Sequence, residues 1–163
     1  MSLYWYSLTP KQREIMFLIY RFRFLNRVQI QTLMKHKDPK RINVWLKDLV
    51  AQGFLGRIYS TTFLEKSKPA IYYANPGGAR YFKEVEECRT DLLPKLFREK
   101  TRSQRFIQHC LSVANVYVNL LTPSDGTVVD EFKTKVDLAV YDDFMTPLQI
   151  GRASCRERVF VVV

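Results

Sequence analysis

The spacing of apolar residues changes abruptly at Gly53, and that change limits the fold more than any other feature of the 163-residue chain. Before it, Ile42, Trp45, Leu46, Leu49 and Val50 recur at i, i+3, i+4, i+7 and i+8, the signature of one buried helical face. After it, Phe54-Leu55-Gly56-Arg57-Ile58-Tyr59 reads as extended chain. A single glycine between the two fits a C′ residue in the left-handed conformation, which stops a helix without a linker. A helix that runs straight into a strand leaves few architectures open.

Asp38-Pro39 supplies an N-cap and a first-turn proline, so this helix is predicted over 39–52. Thr9-Pro10 opens an earlier helix in the same way, with Ile15, Met16, Leu18, Ile19 and Phe22 on its buried stripe. Asn26 caps a short second helix, 27–34, whose buried face is assigned to Val28, Ile30 and Leu33. Downstream, 70–74 reads as a second strand, and the polar, basic stretch between the strands makes the pair a hairpin with a long loop. Asn75-Pro76 opens a fourth helix. Three helices, a hairpin and a further helix predict an α+β fold, a winged helix-turn-helix domain over residues 7–85. The third helix is its recognition element and the hairpin its wing. Trp45, Tyr59, Tyr72 and Tyr73 are assigned to the core.

Residues 86–122 read as a helical connector. A charged stretch around Leu92-Leu93-Pro94 leads into a long helix, 103–121, with Phe106, Cys110, Val113, Ala114, Tyr117 and Leu121 on one face. That helix has two open uses, a homodimer interface or a packing surface for a following domain. Residues 127–148 hold two strand-like runs, 128–132 and 136–141, and are read as the truncated start of an α/β nuclease-like domain. Residues 150–159 are similar to the in-frame translation of a sequencing-library adaptor. Residues 150–163 are therefore expected to be a non-native tail, with the natural chain continuing past Leu148.

The formal net charge is +10. Residues 1–85 hold 15 Lys/Arg against 5 Asp/Glu, whereas residues 86–149 hold 8 against 10. A positive field confined to one small domain attracts polyanions, and double-stranded DNA is the predicted partner. On the third helix, Asn43 suits bidentate pairing with adenine, Arg41 with guanine, and Val44 contact with a thymine methyl. Lys37, Lys40 and Lys47 suit phosphates. On the wing, Arg57, Lys66 and Lys68 suit a neighbouring minor groove or backbone.

No phosphate-binding glycine loop, zinc-protease helix or serine-nucleophile elbow is present, and no cofactor is expected. His36 and His109 have no second ligand nearby in sequence and are read as structural. The chain is therefore expected to bind rather than to catalyse. Asp137, at the start of a strand-like run, is the one candidate metal ligand, and a nuclease core would need a further carboxylate and a lysine beside it. Cys88, Cys110 and Cys155 show no CxxC spacing, the N-terminus has no secretory pattern, and the apolar runs are too short for a bilayer. A cytoplasmic protein with reduced thiols and no membrane partner is the expectation.

Four segments resemble the replication-relaxation family of plasmid and mobile-element proteins. They are Leu8-Thr9-Pro10-Lys11-Gln12-Arg13-Glu14-Ile15, Leu49-Val50-Ala51-Gln52-Gly53-Phe54-Leu55, Tyr73-Ala74-Asn75-Pro76-Gly77-Gly78-Ala79-Arg80 and Gln108-His109-Cys110-Leu111-Ser112-Val113-Ala114-Asn115. The resemblance spans residues 7–141. It implies a bacterial DNA-binding protein concerned with plasmid replication, relaxation of supercoils or mobilisation, followed by a nuclease-like domain. Three alternatives stay open: a winged-helix transcriptional regulator, a fragment of a metal-dependent nuclease, and a winged helix used for protein contacts.

Overall fold

The computed structural model describes residues 8–59, 68–85, 88 and 93–121, together with the backbone of two strands, 131–133 and 160–162. The chain divides into two compact units, Met1–Val118 and Asn119–Val163.

Local chemistry starts and stops the helices of the first unit. Thr9 caps α1 (Pro10–Phe22) through a capping box: its hydroxyl accepts from the Gln12 N–H, and the Gln12 side chain accepts from the Thr9 N–H at 2.9 Å. Asn26 and Gln29 repeat the device at α2 (Arg27–Leu33). Asp38 caps α3 (Pro39–Ala51), its carboxylate accepting from the Lys40 N–H at 2.8 Å. At the far end of α3, the Phe54 N–H donates to the Leu49 carbonyl and the Gly53 N–H to the Val50 carbonyl. This is a Schellman termination, and Gly53 takes φ +77°.

The chain then forms β2 (Leu55–Ile58) and β3 (Ile71–Ala74), paired antiparallel with Gly56 opposite Tyr73. A third strand, β1 (Phe24–Asn26), lies on the other side of β3, with Phe24 opposite Tyr73, so the sheet order is β1-β3-β2. Helix α4 (Pro76–Glu84) starts hard against the end of α3. The Asn75 N–H donates to the Phe54 carbonyl, and a Cβ on Gly77 or Gly78 would overlap the carbonyl oxygens of Gly53 and Phe54. A one-turn helix α5 (Leu93–Leu96) and a 3-10 turn (Glu99–Thr101) lead into α6 (Gln104–Leu121), whose Phe106 N–H donates to the Ser103 hydroxyl. Three helices, a three-stranded sheet and a helix after the wing make this a winged helix-turn-helix.

One core holds these elements together. Ile15, Met16 and Ile19 of α1, Ile42, Leu46 and Leu49 of α3, and Leu55 and Phe82 are all buried. Phe24, Tyr73, Ile107 and Cys110 form a cluster that joins the sheet to α6, with Phe106 set edge-on to Phe24. Gln29 is buried and bridges to the same helix: its Nε2 donates to the Leu111 carbonyl at 2.8 Å and the Asn115 side chain at 2.7 Å.

The structure departs from the sequence reading at several points. Strand β1 is a three-residue element between two helices, too short to show a period. Val28 is 48% exposed, and Gln29 and Ile30 form the buried face of α2 instead. On so short a helix, the polar Gln29 is buried because each of its side-chain groups finds a partner. Tyr59 is 58% exposed, beyond the last residue of β2, so it does not join Tyr72 and Tyr73 in the core. Asn75 has the backbone geometry of a cap but makes no side-chain cap hydrogen bond. In α6 the buried positions are Ile107, Cys110 and Ala114, whereas Leu121 is exposed.

Glu99, read as part of a charged connector, is fully buried. Its carboxylate accepts from Arg23 at 2.8 Å and 2.5 Å and lies 3.5 Å from the Arg102 Nε. Burial pushes the Glu99 carboxyl above its ordinary range, against the opposing pull of the Arg23 and Arg102 guanidinium groups. Arg23 sits at the corner between α1 and β1 with φ +67°, a conformation that costs a non-glycine residue, and its guanidinium packs over the Phe106 ring.

In the second unit, β4 (Glu131–Lys133) pairs antiparallel with β5 (Phe160–Val162), Phe132 opposite Val161. The sequence reading set residues 150–163 aside from the fold, yet 160–162 forms a strand, as its β-prone Phe-Val-Val composition favours. The run 136–141, with Asp137, lies outside the described residues.

Two stability measurements test this account. Glu99→Ala removes the carboxylate that two guanidinium groups share and is expected to cost about 3–5 kcal/mol in urea unfolding. A loss below about 1 kcal/mol, the size of an exposed pair, would refute the burial of this network. Gly53→Ala puts a side chain at φ +77° with nothing within 4 Å of its Cβ, so the cost is purely conformational, about 1–2 kcal/mol.

Candidate nucleic-acid interface

Burial of Ile42, Leu46 and Leu49 fixes the roll of α3 and so decides which residues it turns outward. Lys40, Val44 and Lys47 follow one another at i, i+4 and i+7 along the opposite pole, and Arg41 and Asn43 stand on its two flanks. All five are exposed. Val44, at the centre of the stripe, is 54% exposed. Lys40, Arg41 and Lys47 make no ion pair with another described residue.

The turn that delivers α3 is held from several sides. Gln31 donates to the His36 carbonyl at 3.2 Å and accepts from Arg27 at 3.0 Å. The His36 ring lies edge-on to Trp45, 5.1 Å between centroids, and its Nδ1 contacts the backbone of Asp38. His36 therefore has a structural role, as its sequence setting predicts. Trp45 is half-buried in this contact. Lys37 projects from the turn, exposed, next to the N-terminus of α3.

On the hairpin, Arg57 is exposed on β2 and its guanidinium lies over the Tyr59 ring, 5.2 Å from the centroid. Lys68 is exposed just before β3. Lys66 falls outside the described residues. The structure thus gathers Lys37, Lys40, Arg41, Asn43, Val44 and Lys47 on one helix and its entry turn, and puts Arg57 on β2 and Lys68 in the segment just before β3.

Arg27, which the sequence reading did not single out, and Tyr59, which it assigned to the core, both act electrostatically on Tyr72 of the hairpin. Burial raises the Tyr72 phenol above its ordinary value, Tyr59 adds to that, and Arg57 and Arg27 pull the other way. Arg27 carried a sequence signal: a cation in the first turn of a helix opposes the macrodipole, so its place there needs another reason. Tyr59 carried none, because it continues the alternation of the strand.

Among the described residues, no group of three His, Cys, Asp or Glu side chains is placed to hold a metal ion. No described helix is long and apolar enough to cross a membrane.

No curated protein matches the chain in sequence. Solved structures similar to it include an E. coli MarR mutant complexed with operator DNA, at 14% identity and TM-score 0.44 over 72% of this chain and 78% of that one. A MepR-like protein complexed with pseudoligands follows at 18% identity and TM-score 0.43, over 71% and 77%. Wild-type apo MarR from E. coli matches at 14% identity and TM-score 0.43, over 72% and 81%. The family model described as replication-relaxation matches residues 16–137, most of the chain. With that match over most of the chain, including three of the four segments that carried the resemblance, the chain belongs to the replication-relaxation family.

Proposed function

We propose that this chain binds duplex DNA, with α3 in the major groove and the hairpin on an adjacent stretch of backbone or minor groove, in the replication, relaxation or mobilisation of a plasmid or mobile element. The observation that carries the reading is the outward face of α3. Its cations have no ion-pair partner among the described residues, and its inward face is fully committed to the core. A phosphate lattice supplies what such a face lacks. Neutralising it releases condensed counterions, which makes binding steeply salt-dependent.

In this reading Lys37, Lys40 and Lys47 set the register of the helix through phosphates, and Arg41 and Asn43 face base edges. The Arg57 guanidinium already lies over the Tyr59 ring, which limits the freedom Arg57 loses on meeting DNA. The replication role rests on the family. The described residues are assigned a binding role and no catalytic step.

Changing Lys40, Arg41 and Lys47 to Ala together is expected to weaken duplex binding and flatten its salt dependence. The log–log slope should fall by about one for each phosphate that is no longer neutralised. Removing three charges elsewhere, at Arg13, Arg80 and Lys83, controls for net charge and should leave most of the slope in place. Titration of labelled duplex at several salt concentrations reads both. Equal effects from the two triple variants would mean that α3 does not face the DNA.

A further inference from the structure

Val44 is the residue on this face that the fold does not explain. It stands mid-helix, opposite Ile42, Leu46 and Leu49, and is 54% exposed. A β-branched side chain there lowers helix propensity relative to alanine and leaves apolar surface in water. Lys40 lies one turn before it and Lys47 one turn after, so an apolar spot is framed by cations along one stripe. Single exposed apolar residues occur elsewhere on this domain, as at Val28, but only Val44 stands between two cations on the outward stripe of α3.

We infer that Val44 is a specificity-determining residue that packs on the C5-methyl of a thymine, with Asn43 paired to an adenine of the same or the neighbouring base pair. The inference rests on the duplex-binding reading above and names the target class within it: a site containing an A·T pair at the centre of α3. The major-groove edge of thymine carries an apolar methyl group among hydrogen-bonding ones. Lys40 and Lys47 flank Val44 at the spacing that lets them take the phosphates on either side while the valine meets the floor of the groove. Asn43, exposed on the adjoining flank, presents the amide geometry that matches adenine N6 and N7.

Uracil differs from thymine by that methyl alone, which makes the test direct. The full chain is first used to select its preferred duplex from a library with a randomised core. Each thymine of the selected site is then replaced singly by deoxyuridine, and affinities are measured for the parent and for Val44→Ala. Alanine is the better helix former, so the variant should melt no lower than the parent. For the parent, one thymine of the site should be sensitive, with about three- to fivefold weaker binding on removal of its methyl. For Val44→Ala that difference should shrink to less than twofold while the salt slope stays unchanged, since every phosphate keeps its cation. A parent that binds thymine and uracil duplexes equally at every position overturns the inference, as does a variant whose preference for thymine is as large as the parent's. In both cases steep salt-dependent binding leaves the duplex-binding reading standing. Absence of binding to any duplex removes both.

Discussion

Arg23 turns the chain from α1 into β1 with a positive φ, and a buried carboxylate 76 residues later holds it there. This ion pair is the constraint on which the rest of the domain depends. It ties the corner of the first helix to the turn before α6. Arg102 approaches the same carboxylate from the α6 side, and both guanidinium groups pack over Phe106. Burying the carboxylate is expensive, and the Arg23 hydrogen bonds together with the two guanidinium charges offset that cost. The strained corner, the buried acid and the ring support one another, and β1 enters the sheet where that corner aims it.

Gln29 works in the same direction at smaller scale. It caps α2 with its amide oxygen and ties α6 with its amide nitrogen, so the short helix of the bihelical unit is located by the long helix behind it. Together the two networks explain why a seven-residue helix, too short to be stable alone, holds a fixed position beside α3.

Features written within four or five residues were legible in the sequence. Thr9, Asn26 and Asp38 cap where their neighbours suggest, and Gly53 ends α3 in the left-handed conformation. Features that need a distant partner were not. Glu99 looks like any charge in a polar connector until Arg23 is brought to it, and Gln29 looks like a surface residue until α6 covers it. Strand β1 has no period to detect because it exists only through pairing with β3. The outward set of α3 was legible for the opposite reason: it is the complement of the apolar stripe, so reading Ile42, Leu46 and Leu49 as buried leaves Lys40, Val44 and Lys47 outside. The hairpin was harder, since Tyr59 continues the strand's alternation but lies past its last paired residue.

The glycines at the start of α4 have a further consequence. Gly77 and Gly78 press directly on the main-chain oxygens at the end of α3, so the recognition helix is seated backbone to backbone at that end. Main chain has no rotamers, and its position there owes nothing to the side chains on the opposite pole. The outward residues of α3 are therefore free to vary without repacking the domain. One scaffold of this kind can change its outward chemistry in single steps, each close to neutral for folding.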